Sequence, residues 1–475
     1  MQFRGGCYEK ILAILLAVLL TVGALFALAA CEEDKEIIIR VLENDTAKKE
    51  GYLDYLLNAF NEKYAGQNVK AVDANMDEYS NLELDGPYGH GPDVLYQAND
   101  VLMKYVDGHH VMPIDVQSLD CYDEIPQNAW NAYKADNNGQ TVYCGIPVNV
   151  QQPLLFYRKD MLPENWQTEW DDNRNGVPDM VEFWNEMYAY SVQIRNSDSL
   201  KFGFVLQLNN EYFNSGFLFT YGGYVFGDNN TDDTDIGLAN ANAKLGGKII
   251  WDLAGIMDEK CLDDSFTVGR ETMLANGTIF ATICTPDMTS SFVNQLVLQY
   301  QNQGMTEEEA KAATEENLVI TGLPKLPADG DITVRKDVND DSLWVAHKTM
   351  GGVNGYGISS YTKNREWSLK FVEFATSLEM VTKRAEMLGV VPARADALQG
   401  ITDEASRVTF ENLDNGTLVV MPSISAVGQI WLPISSGFKK IATDGCGGRK
   451  YTLDDIQSIL EDISDDIYKA IHTFS

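Results

Sequence analysis

Histidine is scarce in this sequence, with five in 475 residues. His109-His110 is the one adjacent pair. With no third ligand at suitable spacing, it reads as an exposed loop rather than a metal centre. No two cysteines form a Cys-x-x-Cys pair, so zinc-ribbon and thioredoxin-like readings have no support. Gly-x-Ser-x-Gly and His-Glu-x-x-His are absent as well, and with them two common hydrolase signatures. Basic charge is short: 36 Lys and Arg stand against 70 Asp and Glu, a net charge of −34. Nucleic acid and anionic lipid are therefore poor partners. No segment repeats at 20–50 residues and no long low-complexity linker interrupts the chain, so its parts are expected to be interleaved rather than strung as beads. Aromatic residues make up 10%, including 22 Tyr and 8 Trp, which marks a folded acidic chain rather than a disordered one.

What is present begins with a leader. Arg4 and Lys10 precede an unbroken small and apolar run from Ile11 to Ala30, which ends Leu28-Ala29-Ala30-Cys31. A charged start, an apolar centre and small residues before a cut are the parts of a secretory signal. Leu-Ala-Ala-Cys resembles a bacterial lipobox, which implies a lipoprotein signal peptide over 1–30, lipidation of Cys31 and a tether over 31–35. Two or more acyl chains hold a soluble domain stably at a bilayer, where one is marginal. The alternative is an uncleaved anchor, since twenty such residues can span a membrane. Either reading puts the working part at the cell membrane, on its extracytoplasmic face. The leader holds Arg4, Lys10 and Glu9, so the remaining 445 residues carry 34 basic and 69 acidic groups, a net of −35. That length suggests two lobes. Beyond Cys31 five cysteines remain, an odd number: Cys121, Cys144, Cys261, Cys284 and Cys446. Buried free thiols are the favoured reading of Cys121 and Cys144; the alternative is that they close a short loop in an oxidising compartment.

Strand, helix and strand alternate near the start. Glu36 to Leu42 reads as a strand, a helix follows with Leu53, Leu56, Leu57, Phe60 and Tyr64 on one face, and Asn68–Val72 and Asp93–Tyr96 read as strands. The order implies a parallel sheet covered by helices. Later, 203–206 and 278–283 are strand-like, 243–260 and 367–387 are expected helices, and Thr452 caps a clean amphipathic stripe through Leu453, Ile456, Leu460, Ile463, Ile467 and Ile471.

Residues 171–182 carry ligand-type side chains at the alternating positions of a calcium loop: Asp171, Asn173, Asn175, Asp179 and Glu182, with Val177 lending a carbonyl and Gly176 at the sharp turn. One such loop lacks the partner that makes sensor pairs open, so a structural Ca2+ is expected. An unoccupied polar loop is the alternative.

Five segments, in order, resemble the maltose/maltodextrin branch of bacterial ABC-transporter extracellular solute-binding proteins, family 1. They are Gly91–Asp100, Tyr143–Asp160, Glu211–Phe226, Gly389–Arg394 and Met421–Trp431. The resemblance implies an α/β, two-lobed periplasmic-binding-protein-like fold of type II, with a ligand cleft between lobes joined by a hinge. It places the N-terminal lobe at 36–148 and 323–400 and the C-terminal lobe at 149–322 and 401–475. It also implies a non-enzymatic, monomeric receptor that hands an oligosaccharide to ABC permease transmembrane subunits. Carried over singly, Asp100 would accept from a sugar hydroxyl, Gln151 and Asn210 would take further polar positions, and Tyr212 and Trp431 would stack on pyranose faces, which aromatic rings suit. Asp287 and Gln97 stand where that pattern has Trp, and Val101 where it has Arg, so the site is expected to be more polar. The calcium-type insertion follows Lys159-Asp160, much as one does in alginate-binding relatives. A glycoside hydrolase, which needs two carboxylates about the scissile bond, and a calcium-stabilised surface adhesin are the competing functions.

Overall fold

The computed structural model describes residues 36–473, apart from 107, 138–139, 263–264 and 401–402. The leader, the tether and Cys31 lie outside the described residues.

Ile37–Leu42 is rich in β-branched side chains, which suit a pleated, buried surface. It pairs in parallel with Val69–Asp73 on one side and Val94–Ala98 on the other. Helix Tyr52–Lys63 makes the first crossover and buries Leu53, Leu56, Leu57 and Phe60 against the sheet. Beyond Val94–Ala98 comes a strand from far along the chain, Thr349–Ile358, antiparallel both to it and to Ile146–Gln151 on its other side. Val391–Pro392 extends the edge, and Leu418–Val420 runs parallel to the first residues of Thr349–Ile358. A second sheet takes Leu318–Thr321, Leu154–Arg158, Ile279–Cys284 and Phe202–Phe204 in that spatial order.

Two apolar cores result. One gathers Ile39, Phe60, Tyr96, Trp130 and Phe371; the other gathers Phe156, Trp184, Phe217, Ile250 and Ile441. Only Gln152 and Pro153 separate the last strand of the first lobe from the first strand of the second. The chain returns along Thr349–Ile358, whose Met350 belongs to the second core and whose Val353 and Tyr356 belong to the first. It leaves again after Leu418–Val420 for helices Trp431–Cys446 and Leu453–His472, which pack on the second core. This is the two-lobed α/β architecture expected.

Two expectations are corrected. The stretch from 323 was assigned to the first lobe. Instead Leu326 and Ile332 join the second core and Trp344 packs on Phe183, so the return comes at Thr349. The single helix expected over 367–387 is two, Arg365–Ala375 and Leu378–Leu388. The hydroxyls of Thr376 and Ser377 bond back to the carbonyls of Val372 and Phe374, and Ser377 turns to extended backbone. The buried free-thiol reading holds for Cys121 and Cys144, which are both buried and both free, and burial pushes each thiol up to about 11.

Candidate functional site

In the second lobe Phe202–Phe204 and Ile279–Cys284 run parallel, with Phe204 opposite Ala281. Their carboxyl ends therefore deliver Asn209–Tyr212 and Asp287 to the same rim, the edge at which open α/β sheets bind ligands. Tyr212 lies in the first turn of helix Glu211–Thr220. Its hydroxyl donates to the Gln151 carbonyl at 3.4 Å. Burial raises its pKa first, and the Asp287 and Asp100 carboxylates raise it further. Asp287 accepts from the Thr285 hydroxyl, yet its buried Oδ1 has no partner. Burial raises the pKa of this carboxyl.

From the first lobe, strand Val94–Ala98 runs into helix Asn99–Met103, which carries Asp100. The backbone N–H of Val101 donates to the Asp100 carboxylate, but burial dominates and raises its pKa as well. The helix cap is Ala98, so Asp100 is not the cap. Asn99 beside it is buried and ties the lobe to the last crossing. Its Nδ2 donates to Met421 O at 3.1 Å and Ser423 Oγ at 2.9 Å, while its Oδ1 accepts from Val353 N at 3.2 Å.

Gln151 ends the strand Ile146–Gln151, and its Oε1 accepts from Asn354 Nδ2 at 2.6 Å. That leaves the Gln151 amide nitrogen as the donor it can offer. A side chain on Gly352 would sit 3.0 Å from Met421 Cε, 3.8 Å from Gln151 Cγ and 3.9 Å from Tyr212 Oη, so both crossings and the second lobe meet at this glycine. The structure thus brings Asp100, Gln151, Tyr212 and Asp287 together. Asn210 caps helix Glu211–Thr220, accepting from Phe213 N at 2.8 Å, so its carbonyl oxygen is already engaged. Trp431 opens helix Trp431–Cys446 and lies half-buried on the second core.

Tyr79, Asn209 and Arg270 escaped the sequence reading, whereas Gln97 was marked by its departure from the family pattern. Tyr79 is 72% exposed on a loop of the first lobe. The carboxylates of Glu78, Asp100 and Asp287 lie near enough to act on its hydroxyl. Gln97 is buried and donates to the Glu78 carbonyl, anchoring that loop. Asn209 and Arg270 are buried on the second-lobe side, with Asn209 Oδ1 and Arg270 Nε unpartnered. No periodicity or motif marks Tyr79, Asn209 or Arg270. Two cavities of about 660 and 670 Å3 open at other places where the lobes meet, one beside Tyr224, Asn230 and Lys348 and one beside Thr289, Leu378 and Glu404.

The loop 171–182 is acidic and curved. Arg174 and Gly176 have φ of 58° and 82°. Asp171 Oδ2 accepts from Gly176 N at 3.3 Å, and Asn175 Nδ2 donates to both oxygens of Glu182 at 2.9 and 3.0 Å. Buried Asp171 Oδ1 and Asp179 Oδ1 have no partner. Burial, then the carboxylates of Asp172, Glu182 and Asp171, raise the Asp179 carboxyl. Among the described residues no three His, Cys, Asp or Glu side chains converge as a ready cage. The loop instead mixes carboxylates with amides and a carbonyl, a donor set that suits a hard cation.

A lobed α/β molecule with polar side chains and a tyrosine at one interlobe rim is the arrangement of a binding protein. The match to known proteins gives the class: residues 56–408 fit the model of the bacterial extracellular solute-binding proteins, and the chain belongs to that family. It is 26% identical to the galactooligosaccharide-binding protein of Bacillus subtilis strain 168 over 87% of this chain and 86% of that one. It is 25% identical to the maltodextrin-binding protein MdxE of the same organism over 94% of each. Among solved structures, MalX of Streptococcus pneumoniae with maltopentaose superposes at a TM-score of 0.69 with 20% identity, over 92% of this chain and 100% of that one. The maltose-binding protein MalE of Listeria monocytogenes gives 0.66 at 21%, over 93% and 99%. The fold is thereby the two-lobed type II fold.

Proposed function

We propose that this chain is the lipid-anchored substrate-binding protein of a carbohydrate ABC importer. It takes up an oligosaccharide of maltodextrin-like class between its lobes, as a monomer, and delivers it to permease transmembrane subunits at the extracytoplasmic face of the membrane. The observation that carries the reading is that Tyr212 of the second lobe reaches the Gln151 carbonyl of the first, with the carboxylates of Asp100 and Asp287, one from each lobe, near enough to act on its hydroxyl. Carboxylates and amides suit the equatorial hydroxyls of a sugar, and a tyrosine ring suits its C–H face. In this reading Asp100 and Asp287 accept from hydroxyls, Gln151 donates, Asn210 offers its amide nitrogen, and Tyr212 and Trp431 stack. The chemistry ends at binding, so no residue is assigned a catalytic role. The test follows melting temperature and product together across a panel of oligosaccharides. A shift without product supports the receptor, released sugar supports a hydrolase, and neither favours an adhesin.

We also propose a structural Ca2+ in the loop, held by Asp171, Asn173, Asn175, Asp179, Glu182 and the Val177 carbonyl. A cation there would neutralise crowded carboxylates and satisfy the two orphaned oxygens. Calcium is expected to raise the melting temperature and a chelator to lower it. Identical melting curves, with no calcium found by elemental analysis, would sink the idea.

A further inference from the structure

Three buried polar atoms of the second lobe have no hydrogen-bond partner: Asn209 Oδ1, Arg270 Nε and Asp287 Oδ1. Asn209 and Arg270 are 8% and 6% exposed. Buried polar groups are almost always hydrogen-bonded, so three orphans together call for an explanation. Their placement supplies one. Asn209 follows strand Phe202–Phe204 and Asp287 follows its parallel neighbour Ile279–Cys284, so both stand at the same end of the sheet. Arg270 lies on helix Ser265–Ala275, which leads into that second strand. Its guanidinium carbon is 5.7 Å from the Phe213 ring centre, next to Tyr212, and its charge acts on Asp287.

We propose that Asn209, Arg270 and Asp287 form a single hydrogen-bonding subsite for adjacent hydroxyls of a neutral sugar. The inference rests on the proposed function and names the ligand's charge class. Arg270 offers a donor and Asn209 and Asp287 offer acceptors, a mixture that neighbouring hydroxyls, each both donor and acceptor, complete. The charge balance excludes an acidic sugar. Glu271 Oε1 is 3.6 Å from Arg270 Nε and is itself buried, so one guanidinium already faces two carboxylates. A uronate would add a third negative group with no cation to meet it. A site made this way depends on hydroxyl position more than a stacking platform does, because a missing hydroxyl leaves its own buried groups unpaired.

The experiment uses the mature chain, Asn209→Ala and Arg270→Met. Calorimetric titration is run with β-1,4-galactotriose, maltotriose and trigalacturonate, and melting curves are recorded without sugar. The wild type is expected to bind a neutral trisaccharide and not trigalacturonate. Each variant is expected to lose roughly ten- to hundred-fold in affinity. Without sugar Asn209→Ala should melt at or above the wild-type temperature, since an orphaned oxygen has been removed, whereas Arg270→Met leaves Glu271 without its cation and should melt lower. Lower melting of Asn209→Ala would give that residue a structural role and overturn the proposal. Wild-type affinity in both variants would overturn it too, while leaving the proposed function standing. Tightest binding of trigalacturonate would overturn the neutral ligand class alone. A wild type that binds none of the three would overturn the proposed function together with this subsite.

Discussion

Glu43 and Arg384 form a bidentate pair at 2.8 and 3.1 Å, and their side chains are 0% and 1% exposed. The guanidinium lies 3.8 Å from the Tyr96 ring centre and 4.8 Å from that of Tyr52, and the Tyr356 hydroxyl also donates to Glu43. Two charges so far from water hold each other in place, and removing one strands the other. Glu43→Ala is therefore expected to cost ~3–5 kcal/mol in urea unfolding, and the double change Glu43→Leu with Arg384→Met clearly less. Equal losses would show that packing, not the stranded charge, sets the cost. His347 gives the pH dependence. Its Nδ1 accepts from Trp184 Nε1 at 3.0 Å, its ring packs on Phe217, and burial lowers its pKa from 6.5 to about 3. Between those two values the unfolded chain binds a proton that the folded chain refuses. The stability contribution is whole above about pH 6.5 and falls as pH drops towards 3. His347→Gln should remove that slope, so its stability relative to wild type should improve between pH 7 and pH 4. Glu186, whose carboxyl burial raises to about 7, acts with the opposite sign but cancels in this difference. A constant difference across the range would contradict the assignment.

At the scale of elements, helix Glu211–Thr220 is held between the hinge and helix Ala243–Ala254 by missing side chains. A Cβ on Gly216 would overlap the carbonyl oxygen of Lys348, and one on Gly246 would overlap that of Phe217. Backbone cannot swing aside as a side chain does. Gly216→Ala and Gly246→Ala should each lower stability by about 1–3 kcal/mol, although alanine favours a helix by ~1 kcal/mol over glycine. A rise in melting temperature for either would show the contact to be slack. Elements of this kind were legible where burial imposes a period. The C-terminal helix runs Leu453–His472 with Thr452 in a capping box with Asp455, and the apolar stripe faces inward as expected. Legibility failed where hydrogen bonding overrides the period, as at Thr376-Ser377, whose neighbours alone would continue a helix. It failed again at 323–348, where a crossing was expected but Leu326, Ile332 and Trp344 pack on the second lobe. In the site, Asp100, Gln151 and Tyr212 sit in segments whose order is recognisable. Tyr79, Asn209 and Arg270 come from a loop, a strand end and a helix with no shared motif.

At the scale of the molecule, the two sheets are joined by crossings that include the two residues Gln152-Pro153 and the strand Thr349–Ile358, itself part of both cores. Few peptide bonds need to turn for the lobes to move as bodies, and the residues proposed to hold the ligand come from both sides of that joint. An acidic surface and a signal-like leader agree with work outside the cell, and membership of the extracellular solute-binding proteins agrees with both. The central claim is that a neutral oligosaccharide is captured between the lobes. Small-angle X-ray scattering of the mature chain, titrated with galactotriose and maltotriose, tests it most directly. The account predicts that the radius of gyration falls on saturation with one of them and that the added trisaccharide is recovered intact. Dimensions that stay unchanged with both sugars, or recovery of shorter sugars, would contradict it.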